Sequence, residues 1–465
     1  MMAMFLFAAM QPGAMEPEPL PPVPSPRQLA WHKWETYAFV HFGMNTFTGR
    51  EWGQGTEDPA LFNPTDFDPD QWMAAFKAAG LKTVILTAKH HDGFCLWPSR
   101  LTKHSVASSP WRGGKGDVVR EVADACRRAG LRFGVYLSPW DRHEPTYGQG
   151  EPYNDFYVGQ LTELLTQYGP IAEVWFDGAC AEGPNGKKQV YDWERIRATV
   201  RKLQPKAVMF SDAGPDVRWI GNESGVANET NWCLLEPSRM SVGQPNPGQT
   251  EGHPDGSAWV PGECDVSIRP GWFYHGEEDD KVKTPDQLVE LYFLSVGRNA
   301  SLLLNVPPDR RGRLADPDVA SLQEFGRRIR RMFRTNLLRG AAAKASSVWR
   351  DRESFGPDKA VDGDTSTYWA AGERTRSGWL EADMGREREI DCVEIREPIR
   401  LGQRISRFTV AVWDGNAWKT VAEGTTVGAK RLLRFDPVRT SKVRLDVLEA
   451  RGCPLIQDLR AYRTR

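Results

Sequence analysis

From Trp31 to Phe333, segments with strand character alternate with segments of helical periodicity, which confines this part of the chain to an α/β fold with a parallel sheet. Tyr37–Phe42, Leu81–Thr87, Leu131–Leu137, Ile171–Phe176 and Lys206–Phe210 read as buried strands. Pro69–Ala79, Asp117–Ala129, Tyr153–Tyr168 and Tyr191–Leu203 read as the helices between them, the first two stopped by Gly80 and Gly130. Asn231–Leu235 and Ser301–Val306 read as later strands, with a helix at Thr284–Gly297 between them and a closing helix at Asp316–Phe333. About 300 residues of such units suit a (β/α)₈-like barrel better than a doubly wound sheet. No GxGxxG opens a helix after the first strand and no GxxxxGK[ST] occurs, so a nucleotide site has no support.

A chain of 465 residues exceeds one small domain. Its net charge of −1 offers neither the basic footprint of a nucleic-acid binder nor a polybasic membrane patch. The 18 tryptophans are unusual; most build cores, and some are suited to stacking on sugar faces. Seven cysteines without a CxxC pair give zinc and thioredoxin-type readings no support. Met1–Met10 is apolar but too short to span a membrane and lacks a preceding Lys or Arg. It reads either as a clipped secretion signal, for export to the periplasm or beyond, or as a disordered start to a cytoplasmic protein. Residues 1–30 as a whole form a lead-in, Pro-rich from Glu16 to Pro26.

The strand ends are chemically dense. The stretch Ile171–Ala179 is a short apolar run broken by Asp177-Gly178. In a parallel barrel, catalytic groups sit at the C-terminal strand ends, and Asp177 falls there; as a simple turn residue it would be ordinary too. The same mouth gathers His41, His90, His91, Tyr136 and Trp175, with Glu51 and Trp52 in the loop after the first strand. Metal binding, core packing and hydrogen bonding to a polar ligand all remain open for the histidines. Adjacent His90 and His91 point in different directions and HExxH is absent, so the third reading leads. Polar groups among aromatic walls suit a sugar. Glycoside hydrolysis needs two carboxylates, and Glu223, in a Gly-rich loop after the fifth strand, is the best second acid; Glu229, Glu236 and Glu263 compete.

The segments FVHFGMNTFTGREWGQG (39–55), LTAKHHDGFCLWPS (86–99), FGVYLSPWDRH (133–143), EVWFDGA (173–179) and RWIGNESG (218–225) resemble the family 29 α-L-fucosidases. The resemblance implies a barrel over residues 31–335 and hydrolysis of terminal α-L-fucose with retention, on fucosylated oligosaccharides or glycoconjugates. It implies that Asp177 is the nucleophile, and that His41, Glu51, Trp52, His90, His91, Tyr136 and Trp175 form the fucose pocket, with Trp272 against the sugar. The GNE context makes Glu223 the acid/base and resembles the branch that prefers α-1,3 and α-1,4 linkages. No catalytic cofactor is implied. Another retaining glycosidase, or a silent glycan-binding protein, are the competing readings.

After Arg334 the pattern changes to short alternating runs with Gly turns, which read as a β-sandwich. Residues 340–465 resemble a discoidin-like family 32 carbohydrate-binding module, through Ala360–Trp369, Trp379–Asp383 and Ala450–Pro454. The Asp-Gly-Asp turn suits a structural calcium held by Asp362, Asp364 and Thr367 with Asp458; a plain tight turn is the alternative.

Overall fold

The computed structural model describes residues 16–465; Met1–Met10, expected as a signal remnant or a disordered start, lies outside the described residues. Thr36–Val40 (β1), Thr83–Lys89 (β2), Arg132–Leu137 (β3), Glu173–Trp175 (β4), Val208–Ser211 (β5), Val217–Trp219 (β6), Gly262–Ser267 (β7) and Ser301–Asn305 (β8) close into a barrel in sequence order, β1 beside β8. Every barrel pairing is parallel. Among the described residues, no helix is long and apolar enough to cross a membrane.

The outer helices start and stop where their chemistry dictates. Asp68 accepts from Gln71 N ahead of helix Pro69–Ala79, and Gly80 ends it at φ +86°. Asp117 caps Val118–Ala129 in the same way. Their apolar faces pack on the outside of the strands, while Tyr37, Phe39, Tyr136, Trp175, Phe210 and Leu303 fill the interior.

The barrel corrects the expected strand list at two places. Asn231–Leu235 is not a barrel strand; Leu234–Leu235 pairs antiparallel with Ala258–Trp259 in a separate ribbon. The sixth and seventh strands are β6 and β7. No helix separates β5 from β6: the turn 212–216 joins them, held by Asp216, whose carboxylate accepts from Met209 N at 2.8 Å and pairs with Arg27 and Arg201. Glu223 therefore follows the sixth strand, not the fifth.

Ala342–Ala345 (β9), Gly378–Arg396 (β10), Ile405–Trp413 (β11), Trp418–Gly424 (β12), Arg431–Ala450 (β13) and Asp458–Tyr462 (β14) build the antiparallel C-terminal sheet. β10 and β13 run alongside each other and bend at register shifts, and Trp369–Ala370 pairs with Leu455–Ile456 in a small second ribbon. All seven cysteines are free.

The two parts share a tight seam. Glu35, just before β1, receives Lys430 Nζ at 2.6 Å and Arg396 Nη2 at 3.2 Å from the C-terminal part. Burial opposes the Glu35 charge, but Lys430 and Arg396 outweigh it and hold the carboxyl at about 2. Cys392, Leu432 and Tyr462 join the apolar layer around the barrel helices.

Candidate active site

One cavity of about 600 Å³ opens at the C-terminal ends of the barrel strands. It is lined by His41, Glu51, Trp52, His90, His91, Tyr136, Trp175, Asp177, Glu223 and Trp272. Asp177 lies two residues beyond β4, where the strand opens into Gly178. Its Oδ2 accepts from Tyr136 Oη at 2.9 Å, and its Oδ1 accepts from Ala179 N at 2.7 Å. His91 Nε2 stands 3.7 Å from Oδ2.

The histidine partners fix the tautomers. Ser138 Oγ donates to Trp140 O at 2.6 Å, so at 2.7 Å it accepts from His91 Nδ1–H and leaves Nε2 as a lone pair. Two acceptors, His91 Nε2 and Asp177 Oδ2, therefore stand 3.7 Å apart on the cavity wall, each able to accept from a ligand hydroxyl. Asn305, at the end of β8, donates to Trp272 O and accepts from His41 Nδ1 at 2.8 Å, so His41 also presents a bare Nε2. Asn45 Nδ2 donates to His90 Nδ1 at 3.4 Å, which leaves His90 with an Nε2–H donor. Burial pushes all three imidazoles down, His41 to about 3, so the three are neutral at physiological pH.

The aromatic wall is continuous. Trp175 stacks on Phe210 at 4.2 Å between centroids and on Tyr136 at 5.3 Å. The Trp175 Nε1–H donates to Glu263 Oε1 at 2.8 Å beneath the cavity. Trp52 is 57% exposed and forms the lip, edge-on to Trp140. Trp272 lies beside His41 at 5.0 Å. The Glu51 carboxylate holds the Trp272 loop: Oε2 accepts from Trp272 N at 2.8 Å, and Oε1 meets His275 Nε2 at 3.1 Å. A Cβ at Gly271 would come within 2.7 Å of Glu51 Oε1, so a side chain there would push the Glu51 carboxylate aside.

Glu223 sits at the mouth, and Trp272 Nε1 donates to its Oε2 at 3.3 Å. Its pKa is raised, first by burial of the carboxyl against the cavity wall, with Asp177 and Glu51 adding to the shift and Trp272 opposing it. The competing acids stand elsewhere. Glu263 is fully buried under Trp175, Glu229 pairs with Arg298, and Glu236 caps the turn Pro237–Arg239.

Several residues of the cavity and its support escaped the sequence reading: Asn45, Ser138, Asn305, His275, Asp212 and Asp265. Asp265 is buried in β7, its Oδ1 accepting from Trp219 Nε1 at 2.7 Å, and burial raises it well above the carboxylate range. Asp212 follows β5 directly, as Asp177 follows β4. A polar residue closing an apolar strand was the available signal for Asp212 and Asn305.

Of the four residues expected around calcium, Asp362, Asp364 and Thr367 share one turn and bond within it. Asp362 Oδ1 accepts from Asp364 N, and its Oδ2 accepts from Thr367 Oγ1 at 2.8 Å. Asp364 accepts from Ser366. Asp458 is buried and paired with Arg460 at 3.0 Å. Among the described residues, no group of three or more His, Cys, Asp or Glu side chains is placed to hold a metal.

Residues 23–332 match the alpha-L-fucosidase family model, and residues 342–458 match the F5/8 type C domain. The chain belongs to the alpha-L-fucosidase family. It is 47% identical over 456 residues to alpha-L-fucosidase 1 of Arabidopsis thaliana, covering 96% of this chain and 89% of that protein. The crystal structure of SpGH29 superposes with a TM-score of 0.92 at 39% identity, covering 97% of this chain and 100% of that one. A Ruminococcus gnavus GH29 fucosidase in complex with fucose superposes with a TM-score of 0.90 at 35% identity, covering 97% of each chain. This fucosidase is thus a glycoside hydrolase on a closed parallel barrel, followed by a discoidin-like domain. Its substrates are fucosylated glycans.

Proposed function

We propose that this α-L-fucosidase removes terminal α-1,3- and α-1,4-linked L-fucose from branched glycans with retention of configuration. Asp177 Oδ2 attacks the anomeric carbon as the glycosidic bond breaks. Glu223 gives its proton to the departing oxygen, then takes one from the water that cleaves the fucosyl-aspartate ester. The observation that carries this reading is the contrast between two carboxyls in one cavity. Asp177 is surrounded by donors, Tyr136 Oη and Ala179 N, which suit a charged nucleophile. Glu223 is pushed up by burial and by Asp177, which suits a group that must hold a proton.

The neutral imidazoles and the indole wall fit a deoxy sugar. Nε2 of His41 and His91 would take ring hydroxyls, His90 Nε2–H would give to one, and the Trp175–Tyr136–Phe210 stack offers an apolar surface to the C6 methyl and the ring face. Labelling by a 2-fluoro-fucosyl inhibitor and NMR of the first-formed product test the scheme. Label on Asp177 and an α-configured product are expected. A label elsewhere or a β-configured product would sink it, and a preference for α-1,2 linkages would sink the linkage assignment.

A further inference from the structure

The cavity is larger than the fucose cup. It also takes in the loop 243–250 and Asp212. Gly221, two residues before Glu223, packs on this loop: a Cβ there would sit 3.2 Å from Thr250 Cγ2. The annex therefore lies on the side of the acid, where the leaving group departs. The loop is pinned in place. Asn246 closes it onto Ser241 with bonds of 2.7 and 2.9 Å, and Gln249 Nε2 donates to Asp212 O at 3.2 Å.

Asp212 joins the annex to the nucleophile. Its Oδ2 accepts from Gly243 N at 2.9 Å, and its carboxyl lies so close to Gly178 that a Cβ at that position would overlap both oxygens. Among the described residues, its Oδ1 makes no hydrogen bond to another residue, and the side chains of Gln244 and Thr250 make none; all three residues line the cavity. These three polar groups on one cavity wall are free to bond a polyhydroxylated leaving group.

We propose that Asp212 is a specificity-determining residue: its Oδ1 accepts a hydrogen bond from a hydroxyl of the sugar to which fucose is attached, with Gln244 and Thr250 completing that subsite. The inference rests on the branched-glycan reading above and names the group that reads the leaving sugar. An aryl leaving group has no hydroxyl to offer, so it gains nothing from Asp212. Burial raises Asp212 to about 6, so Oδ1 is a carboxylate acceptor above that pH; in the neutral acid, with Oδ2 accepting from Gly243 N, Oδ1 carries the proton.

The test compares kcat/KM for a Lewis-type trisaccharide with kcat/KM for an aryl α-L-fucoside in the full-length parent, Asp212→Asn, Asp212→Ala and Gln244→Ala. The ratio is expected to fall about tenfold in Asp212→Ala, mostly through KM, and about threefold in Gln244→Ala, as removal of hydrogen bonds to a ligand predicts. Asp212→Asn keeps the shape of the turn and turns Oδ1 into a donor, so its ratio should also fall. Equal losses on both substrates in the Asp212 variants would overturn the inference and make Asp212 a support for Asp177. A ratio unchanged in all three variants would overturn it as well. A parent that cleaves the aryl fucoside but no branched trisaccharide would overturn both this inference and the linkage reading, which separates the two failures.

Discussion

Trp272 Nε1 and Glu223 Oε2 meet at 3.3 Å, so the indole that walls one side of the cavity also touches the carboxyl at its mouth. The loop after β7 and the loop after β6 thereby set each other's positions. That bond favours the ionised carboxylate, and burial and Asp177 favour the neutral acid.

The contact makes the basic limb of the pH profile adjustable. Glu223 is raised, so activity should persist above the usual glutamic acid range and fall as the proton is lost. Trp272→Phe removes the interaction that lowers Glu223 and should move the basic limb of kcat/KM to higher pH. A limb that stays put or moves down would disconnect Trp272 from the titrating group.

Leaving-group dependence should expose the acid. Glu223→Gln is expected to lose about 10³-fold in kcat/KM on glycans and about tenfold or less on an aryl fucoside with a good leaving group. Losses of the same size on both substrates would reassign the proton donor.

Tyr136→Phe removes the hydroxyl that reaches Asp177 Oδ2 at 2.9 Å while keeping the ring stacked on Trp175. About a tenfold fall in kcat with little change in KM is expected, since a lost hydrogen bond to a charged group is worth roughly 1.5–3 kcal/mol. A pure KM effect would place the hydroxyl on the sugar instead.

Gly178→Ala should be inactive or nearly so. A methyl there overlaps the Asp212 carboxyl, so that side chain or the turn carrying Asp177 must move to make room. A fully active, folded Gly178→Ala enzyme would show that the Asp177 turn tolerates displacement.

Acid stability should depend on Glu35. Its folded pKa of about 2 lies below the ordinary 4.5, so its contribution is complete above pH 4.5 and is lost as the pH falls towards 2. The shift sets an upper bound of about 3 kcal/mol, reduced because burial and Arg396 pull Lys430 down. Glu35→Gln should lower Tm at pH 7 and leave a smaller difference from the parent at pH 2.5. An equal difference at both pH values would contradict the linkage.

The sequence was most readable where local chemistry and burial agreed. Helix Pro69–Ala79 has an Asp cap, Pro in its first turn and a terminal Gly, and its limits follow from them. β1 and β2 are apolar because they are buried on both faces. β7 was missed because Glu263 and Asp265 interrupt the apolar run, and both are buried carboxyls inside the barrel. β6 was missed because it is only three residues long, Val217–Trp219, and follows β5 across a short turn. In the site, His41, His90, His91 and Asp177 stood out by type and by position after strands. Asp212, Ser138 and Asn305 act through partners distant in sequence, and no local pattern announces such pairings.

Leu432 and Tyr462 lie in the apolar layer that covers the barrel helices, although both belong to the C-terminal sheet. Scanning calorimetry should therefore record a single endotherm for the whole enzyme, and a barrel cut free near residue 335 would carry a raw greasy scar prone to precipitation. The accessory module thus doubles as a permanent lid on the catalytic unit's own interior, whatever else it meets outside.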